Sequence, residues 1–297
     1  MPSESRDATA HPTQRRFEVD GLGIAVRDYS RGTALDGPPI LLLHGGMAHA
    51  RWFDFMGPLL APLGRPFAMD RRGHGESDWT EREGYGWERD VADIGEIARR
   101  LDEGPWVLVG HSQGGILAAD LAARRGIPLR ALVLLDVPLF LGTPAMRHAG
   151  ERLSKIPQMH WPTLDAACAG FRPYPLPHLI PDGRLAQLAR SSFKPNGEGG
   201  FTSRFHWKVF RADPQGGPGS GFAERIRRIA APTLCLRGAA STILSAEDHA
   251  ETVRRIPLGQ PVVIPAATHH LHVEQPHAVA GAIADFLSGI EEVPRLG

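Results

Sequence analysis

The chain has 297 residues, 42% hydrophobic and 22% charged, with 33 basic side chains balanced by 33 acidic ones. That length allows one large domain, or a domain with an insertion, and a sizeable core. The charge balance excludes a net field that would draw the protein to nucleic acid or an anionic membrane. The two cysteines, Cys168 and Cys235, make neither a CxxC pair nor a disulfide framework, so a reducing, cytoplasmic setting is expected.

Residues 1–15 are polar, without an apolar period or the apolar stretch of a secretory peptide, and read as a loose tail. From Phe17 the pattern changes to short apolar runs bounded by Gly and Pro, the signature of buried strands. They are Phe17–Val19, Gly23–Val26, Ile40–Leu43, Phe67–Met69, Trp106–Val109, Ala131–Leu135, Thr233–Leu236 and Pro261–Ile264. Amphipathic or apolar helical runs lie between them at Trp87–Leu101, Gln113–Arg125, Ala246–Arg255 and His277–Ser288. Strands alternating with crossover helices give an α/β fold with a mostly parallel sheet. Nowhere do 18 consecutive apolar residues occur, so no membrane span is expected.

About ninety residues without a clear strand separate Asp136 from Thr233, too long for an ordinary connection. Rich in Pro and in large apolar groups such as Trp161, Phe171, Phe193 and Phe205, they suit a mainly helical cap over a cleft. For most of these side chains, packing within the cap's own core is the plainer reading. The domain plan is then a core of 16–137 and 231–297 with a cap insertion at 138–230.

Two motifs carry chemistry. Gly110-His111-Ser112-Gln113-Gly114 follows the apolar run WVLV and precedes the helical run GGILAADLAAR, which is GxSxG in a strand-turn-helix setting. A serine there sits in a strained turn with its hydroxyl exposed, and the following helix aims its N-terminal amides at the reacting centre. In LLLHGG, residues 41–46, a strand ends in a glycine pair that can turn an N–H inward. The main chain of Gly46 and Gln113 would then form an oxyanion hole. Neither GxGxxG, GxxxxGK[ST] nor HExxH occurs, so no cofactor or metal is expected.

These two segments, with Asp70-Arg71-Arg72-Gly73-His74-Gly75-Glu76-Ser77 and Thr268-His269-His270-Leu271-His272-Val273-Glu274-Gln275-Pro276, make the chain similar to α/β-hydrolase-fold proteins with a cap domain. The resemblance covers about Phe17 to Leu287 outside the cap and implies an eight-stranded sheet flanked by helices. It makes the 70–77 segment a structural turn without a catalytic role. It also implies that Ser112 is a nucleophile and that a histidine after the last strand is its base. His269 is favoured there over His270 and His272.

The acid departs from the family pattern, because Thr242 stands where a carboxylate is usual. Three readings stay open: a broken triad, an acid from Glu247 or Asp248, or an acid moved to another strand. Asp136 ends the run ALVLLD, 24 residues after Ser112. Some relatives of this fold, including haloalkane dehalogenases and mycoestrogen lactone hydrolases, carry their acid after that strand, and Asp136 is favoured. The expected activity is hydrolysis of an ester or lactone of a fairly apolar small molecule, with Met47, Gln113, Trp161 and Phe205 lining the pocket. A carbon–carbon bond hydrolase or cofactor-free perhydrolase on the same residues is the enzymatic rival. A ligand-binding protein with catalysis lost is the rival of another class. Association into a homodimer is left open.

Overall fold

The computed structural model describes residues 12–30, 37–139, 155–212 and 217–290. The expectations for residues 1–11, 140–154 and 291–297 lie outside the described residues. The main sheet contains β1 (Thr13–Val19), β2 (Leu22–Asp28), β3 (Pro39–Leu43), β4 (Arg65–Met69), β5 (Trp106–His111), β6 (Leu129–Leu135), β10 (Thr233–Gly238) and β11 (Gly259–Ile264). Their spatial order is β1-β2-β4-β3-β5-β6-β10-β11. The ladders are parallel except where β2 pairs with β1 and β4.

Every residue of β3 and β5 is buried, as expected for strands covered on both faces. One layer of core packs α1 (Trp87–Leu101) and α2 (Gln113–Ala123) against the sheet. The opposite layer includes Val279, Ile283 and Phe286 of α9 (Pro276–Ser288). The other helices of the core are α7 (Ala246–Arg255) and α8 (Leu271–Glu274), and α6 (Phe222–Arg225), inside the stretch expected to be cap, packs Phe222 into the same core. From β3 the chain runs outward to β4 on one side and returns as β5 on the other. The loops after β3 and β5 therefore diverge at the carboxyl ends of the strands, the place where ligands of such sheets bind.

One expectation needs correction and another needs an addition. Thr13, Gln14 and Arg15 are not tail but the start of β1, paired with Asp28, Arg27 and Val26. This edge strand is held by its ladder rather than by an apolar face, so its polar side chains concealed it. Among its described residues the insertion between β6 and β10, expected to be a mainly helical cap, has more residues in helices than in strands, yet it is not helical throughout. It holds a three-stranded antiparallel sheet of β7 (His160–Trp161), β8 (Phe193–Pro195) and β9 (Phe201–Ser203) in the order β7-β9-β8. Beside it lie α3 (Leu164–Ala169), α4 (Asp182–Ser191) and α5 (Lys208–Ala212). Strands of two or three residues are too short to show alternation. Among the described residues no helix is long and apolar enough to cross a membrane.

The elbow is close-packed where β5 meets α2. A Cβ on Gly110 would lie 2.4 Å from the Gly115 Cα, whereas one on Gly281, exposed on α9, would meet nothing within 4 Å. Gly110→Ala should destabilise the fold by about 1–3 kcal/mol or more through overpacking. Gly281→Ala should stabilise it by roughly 0.5–1 kcal/mol through helix propensity. Urea unfolding of both variants measures the contrast, and equal effects would contradict this packing.

Candidate active site

Ser112 stands between β5 and α2 with φ +50° and ψ −123°, a conformation that costs about 1–3 kcal/mol and persists only where surrounding structure imposes it. The imposition is visible: Ser112 N–H donates to the Leu135 carbonyl (3.2 Å), and its own carbonyl accepts from Gly115 (2.9 Å) and Ile116 (3.1 Å). A Cβ on Gly114 would strike the Leu43 carbonyl at 2.3 Å, so glycine alone permits the elbow to press against β3. No hydrogen bond to the Ser112 hydroxyl is formed among the described residues, which leaves it available at the carboxyl end of the sheet.

Asp136 follows β6 and is completely buried, with φ +51°. Its amide donates to the Leu236 carbonyl (2.8 Å), which fixes the residue against β10. The carboxylate accepts at Oδ1 from Gly238 N–H (2.9 Å) and at Oδ2 from the Ser241 hydroxyl (2.6 Å). Oδ2 also lies 2.7 Å from His269 Nδ1. Because the carboxylate only accepts, that ring nitrogen carries the proton and Nε2 keeps its lone pair.

The other acid candidates lie elsewhere. Thr242, Glu247 and Asp248 are exposed. Glu247 and Asp248 occupy the first turn of α7, where Ser245 caps the Asp248 amide at 3.0 Å. The loop that usually supplies the acid instead contributes Ser241, a residue the sequence did not single out. It donates to Asp136 and accepts from Leu244 N–H at 3.1 Å. The only signal for it was its place one residue before the empty acid position.

The histidine loop is held by Glu274, whose buried carboxylate accepts from Thr268 N–H (2.5 Å), the Thr268 hydroxyl (2.6 Å) and Leu179 N–H of the cap (2.7 Å). Arg184 of α4 donates to the Val273 and Glu274 carbonyls at 2.7 and 3.0 Å. His111 donates from Nε2 to the His269 carbonyl at 2.9 Å, joining the elbow to this loop. His270 and His272 are buried beside it, the former 5.2 Å from Trp52 and the latter 4.3 Å from His111 between ring centroids. Burial holds His111 and His270 well below the usual imidazole value and brings His272 down to about 3, so these rings are neutral. Among the described residues no group of three or more His, Cys, Asp or Glu is arranged to hold a metal ion.

Gly46 and Gln113 occur where the loops after β3 and β5 face each other. Among the described residues neither amide N–H donates to a protein acceptor, and a Cβ on Gly46 would lie 3.3 Å from Gln113 Oε1. Two free amides beside Ser112, one at the N-terminus of α2, suit the charge of an oxyanion. Met47 follows at a half-buried turn with φ +59°. The cap pair sits differently. Trp161 packs edge-on to Phe193 at 4.9 Å, and Phe205 lies 4.9 Å from His74 and 5.2 Å from Trp207. Their measured partners are thus aromatic groups of the cap and its seam with the core.

Comparison with known proteins shows the family and the fold. The sequence profile of the Alpha/beta hydrolase family matches residues 40–282. The chain is 29% identical over 285 residues to 2-(acetamidomethylene)succinate hydrolase of Mesorhizobium japonicum, covering 94% of this chain and 97% of that one. It is 28% identical to an esterase of Mycobacterium tuberculosis, covering 82% and 80%. Among solved structures, E-2-(acetamidomethylene)succinate hydrolase superposes with a TM-score of 0.81 at 27% identity, over 94% of this chain and 100% of the other. The thioesterase domain from the curacin biosynthetic pathway shares the fold, with a TM-score of 0.77 at 24% identity over 93% and 100%.

Burial sets a pH response. It is the first cause that holds His44, His49, His74, His111, His270 and His272 below the ordinary value, with His49 and His272 at about 3. The unfolded chain takes up these protons near pH 6.5 while the folded protein does not, so stability is full above that pH and is lost as pH falls toward 3. The loss is about 1.4 kcal/mol per pH unit for each proton. Asp70, pushed up to about 6 by burial, works in the opposite sense and offsets part of it. Unfolding free energy measured in urea should drop by on the order of 5 kcal/mol between pH 7.5 and 5.5; a flat profile would contradict neutral buried rings.

Proposed function

The chain belongs to the α/β-hydrolase family and is an enzyme of the hydrolase class, and from that premise we propose that Ser112, His269 and Asp136 form a triad that cleaves a carboxylic ester or lactone of an apolar small molecule. The observation that supports this most is the 2.7 Å contact between a wholly buried Asp136 carboxylate and His269 Nδ1. His269 Nε2 takes the proton of Ser112 as Oγ attacks the substrate carbonyl, and the imidazolium formed is steadied by Asp136. Charge developing on the carbonyl oxygen is met by the N–H groups of Gly46 and Gln113. The imidazolium then protonates the leaving oxygen, and water attacks the acyl-enzyme with His269 again as base. The carboxylate at His269 weighs against the reading of a non-catalytic binding protein, which rested on Thr242 standing at the usual acid position.

A second reading, hydrolysis of an acyclic amide through the same acyl-enzyme, is favoured by the full-length similarity to 2-(acetamidomethylene)succinate hydrolase. Turnover of matched aryl ester and anilide substrates separates the two, since an amide hydrolase should cleave the anilide at a comparable rate.

Purified protein should hydrolyse a short activated aryl ester, and Ser112→Ala should lower kcat by several orders of magnitude. Asp136→Asn should cost about ten-thousandfold with the fold intact, while Asp248→Asn should be near neutral. Unchanged turnover in Ser112→Ala would refute the nucleophile, and loss in Asp248→Asn with full activity in Asp136→Asn would move the acid to the loop after β10.

A further inference from the structure

Arg71 is a fully buried cation directly behind the facing loops, in the turn after β4. Its Nη1 donates to Asp90 Oδ2 at 2.9 Å. Its Nη2 donates to Gln113 Oε1 at 2.9 Å and reaches the Gly45 carbonyl at 3.4 Å. A guanidinium can only donate, so Gln113 must present its oxygen here. The Gly45 carbonyl also accepts from His44 Nδ1 at 2.8 Å and Ala48 N–H at 3.4 Å. All these donors gather at the carbonyl end of one planar trans peptide, whose N–H belongs to Gly46 and points the opposite way. Fixing the carbonyl therefore aims the Gly46 N–H, and a cation on the oxygen polarises that N–H further. The same nitrogen holds the side chain of Gln113, whose main-chain N–H is the other free donor.

Stability alone does not account for this arrangement. A buried ion pair often contributes no more than apolar residues of similar volume. Arg71 also leaves its Nε without a partner.

We propose that Arg71 is a positioning residue that sets both halves of the oxyanion hole, through the Gly45 carbonyl and the Gln113 side chain. The proposal rests on the acyl-transfer reading of Ser112. It predicts that loosening either tether weakens binding of the tetrahedral state while leaving ground-state binding nearly unchanged.

The test uses the full chain with a short aryl ester as substrate and phenylboronic acid, a tetrahedral mimic on the serine, as inhibitor. Arg71→Met, Gln113→Ala and the double variant are compared, with kcat expressed per active site from burst titration. Each single variant should lower kcat about 10- to 100-fold, with KM within about threefold, and should raise the boronate Ki in parallel. The double variant should fall little below the worse single one, because both remove one linkage. Unchanged kcat and Ki in Gln113→Ala, or losses that multiply in the double variant, would overturn the proposal. So would an Arg71→Met effect confined to Tm and the active fraction. Where Arg71→Met does not fold, Gln113→Ala decides. Ser112→Ala run alongside keeps the two claims apart: activity in that variant refutes the nucleophile, whereas an inactive Ser112→Ala beside a fully active Gln113→Ala refutes only the positioning role.

Discussion

A carboxylate enclosed on every side must be satisfied on every side, and the surroundings of Asp136 follow from that constraint. Its oxygens receive an amide from the end of β10, a hydroxyl from Ser241 and the ring N–H of His269. Unpaired, such a charge would cost several kcal/mol. Its position is therefore tied to two chain segments, the end of β10 with its loop and the histidine loop, and through it they are tied to each other. The cost of burial is also what fixes the imidazole: with Asp136 accepting from Nδ1, the ring has one tautomer and Nε2 keeps its lone pair.

The parallel sheet makes this possible without long-range adjustment. β6 lies between β5 and β10, so the residue that ends it is beside both the elbow and the loop after β10. The Ser112 amide bonds to Leu135, the residue just before Asp136. A shift of either strand by one residue would separate serine from acid and reverse which face each side chain occupies. The insertion between β6 and β10 is fastened to the histidine loop and to the turn after β4. Glu274 and Arg184 bind it to the histidine segment, and Gly75 N–H donates to the Arg204 carbonyl at 2.8 Å. The strained φ of Ser112 and Asp136 is held by the hydrogen bonds that each makes to the neighbouring strands and loops.

Most of the sheet was legible because buried parallel strands are continuous apolar runs, and all eight were visible, though β1 starts four residues earlier than its apolar part. The elbow was legible because its chemistry demands glycines at fixed places. Ser241 was not, since a serine in a loop has no pattern until the fold sets it against Asp136. Arg71 was read as part of a turn. Nothing local distinguishes an arginine whose charge is spent on Asp90 and Gln113 from one in solvent, as its partners lie 19 and 42 residues away. The cap resisted for a related reason: its strands are too short for a period, and aromatic residues such as Trp161 and Phe205 serve a small core as readily as a pocket wall.

The bond between Asp136 and His269 can be observed without any substrate. In the proton NMR spectrum of the free enzyme, the His269 Nδ1–H should give a strongly deshielded resonance, well downfield of the amide region, that vanishes in His269→Gln and in Asp136→Ala but survives in Asp248→Ala. A downfield imidazole resonance that persists in Asp136→Ala and is lost in Asp248→Ala would contradict the arrangement and place the acid on the first turn of α7.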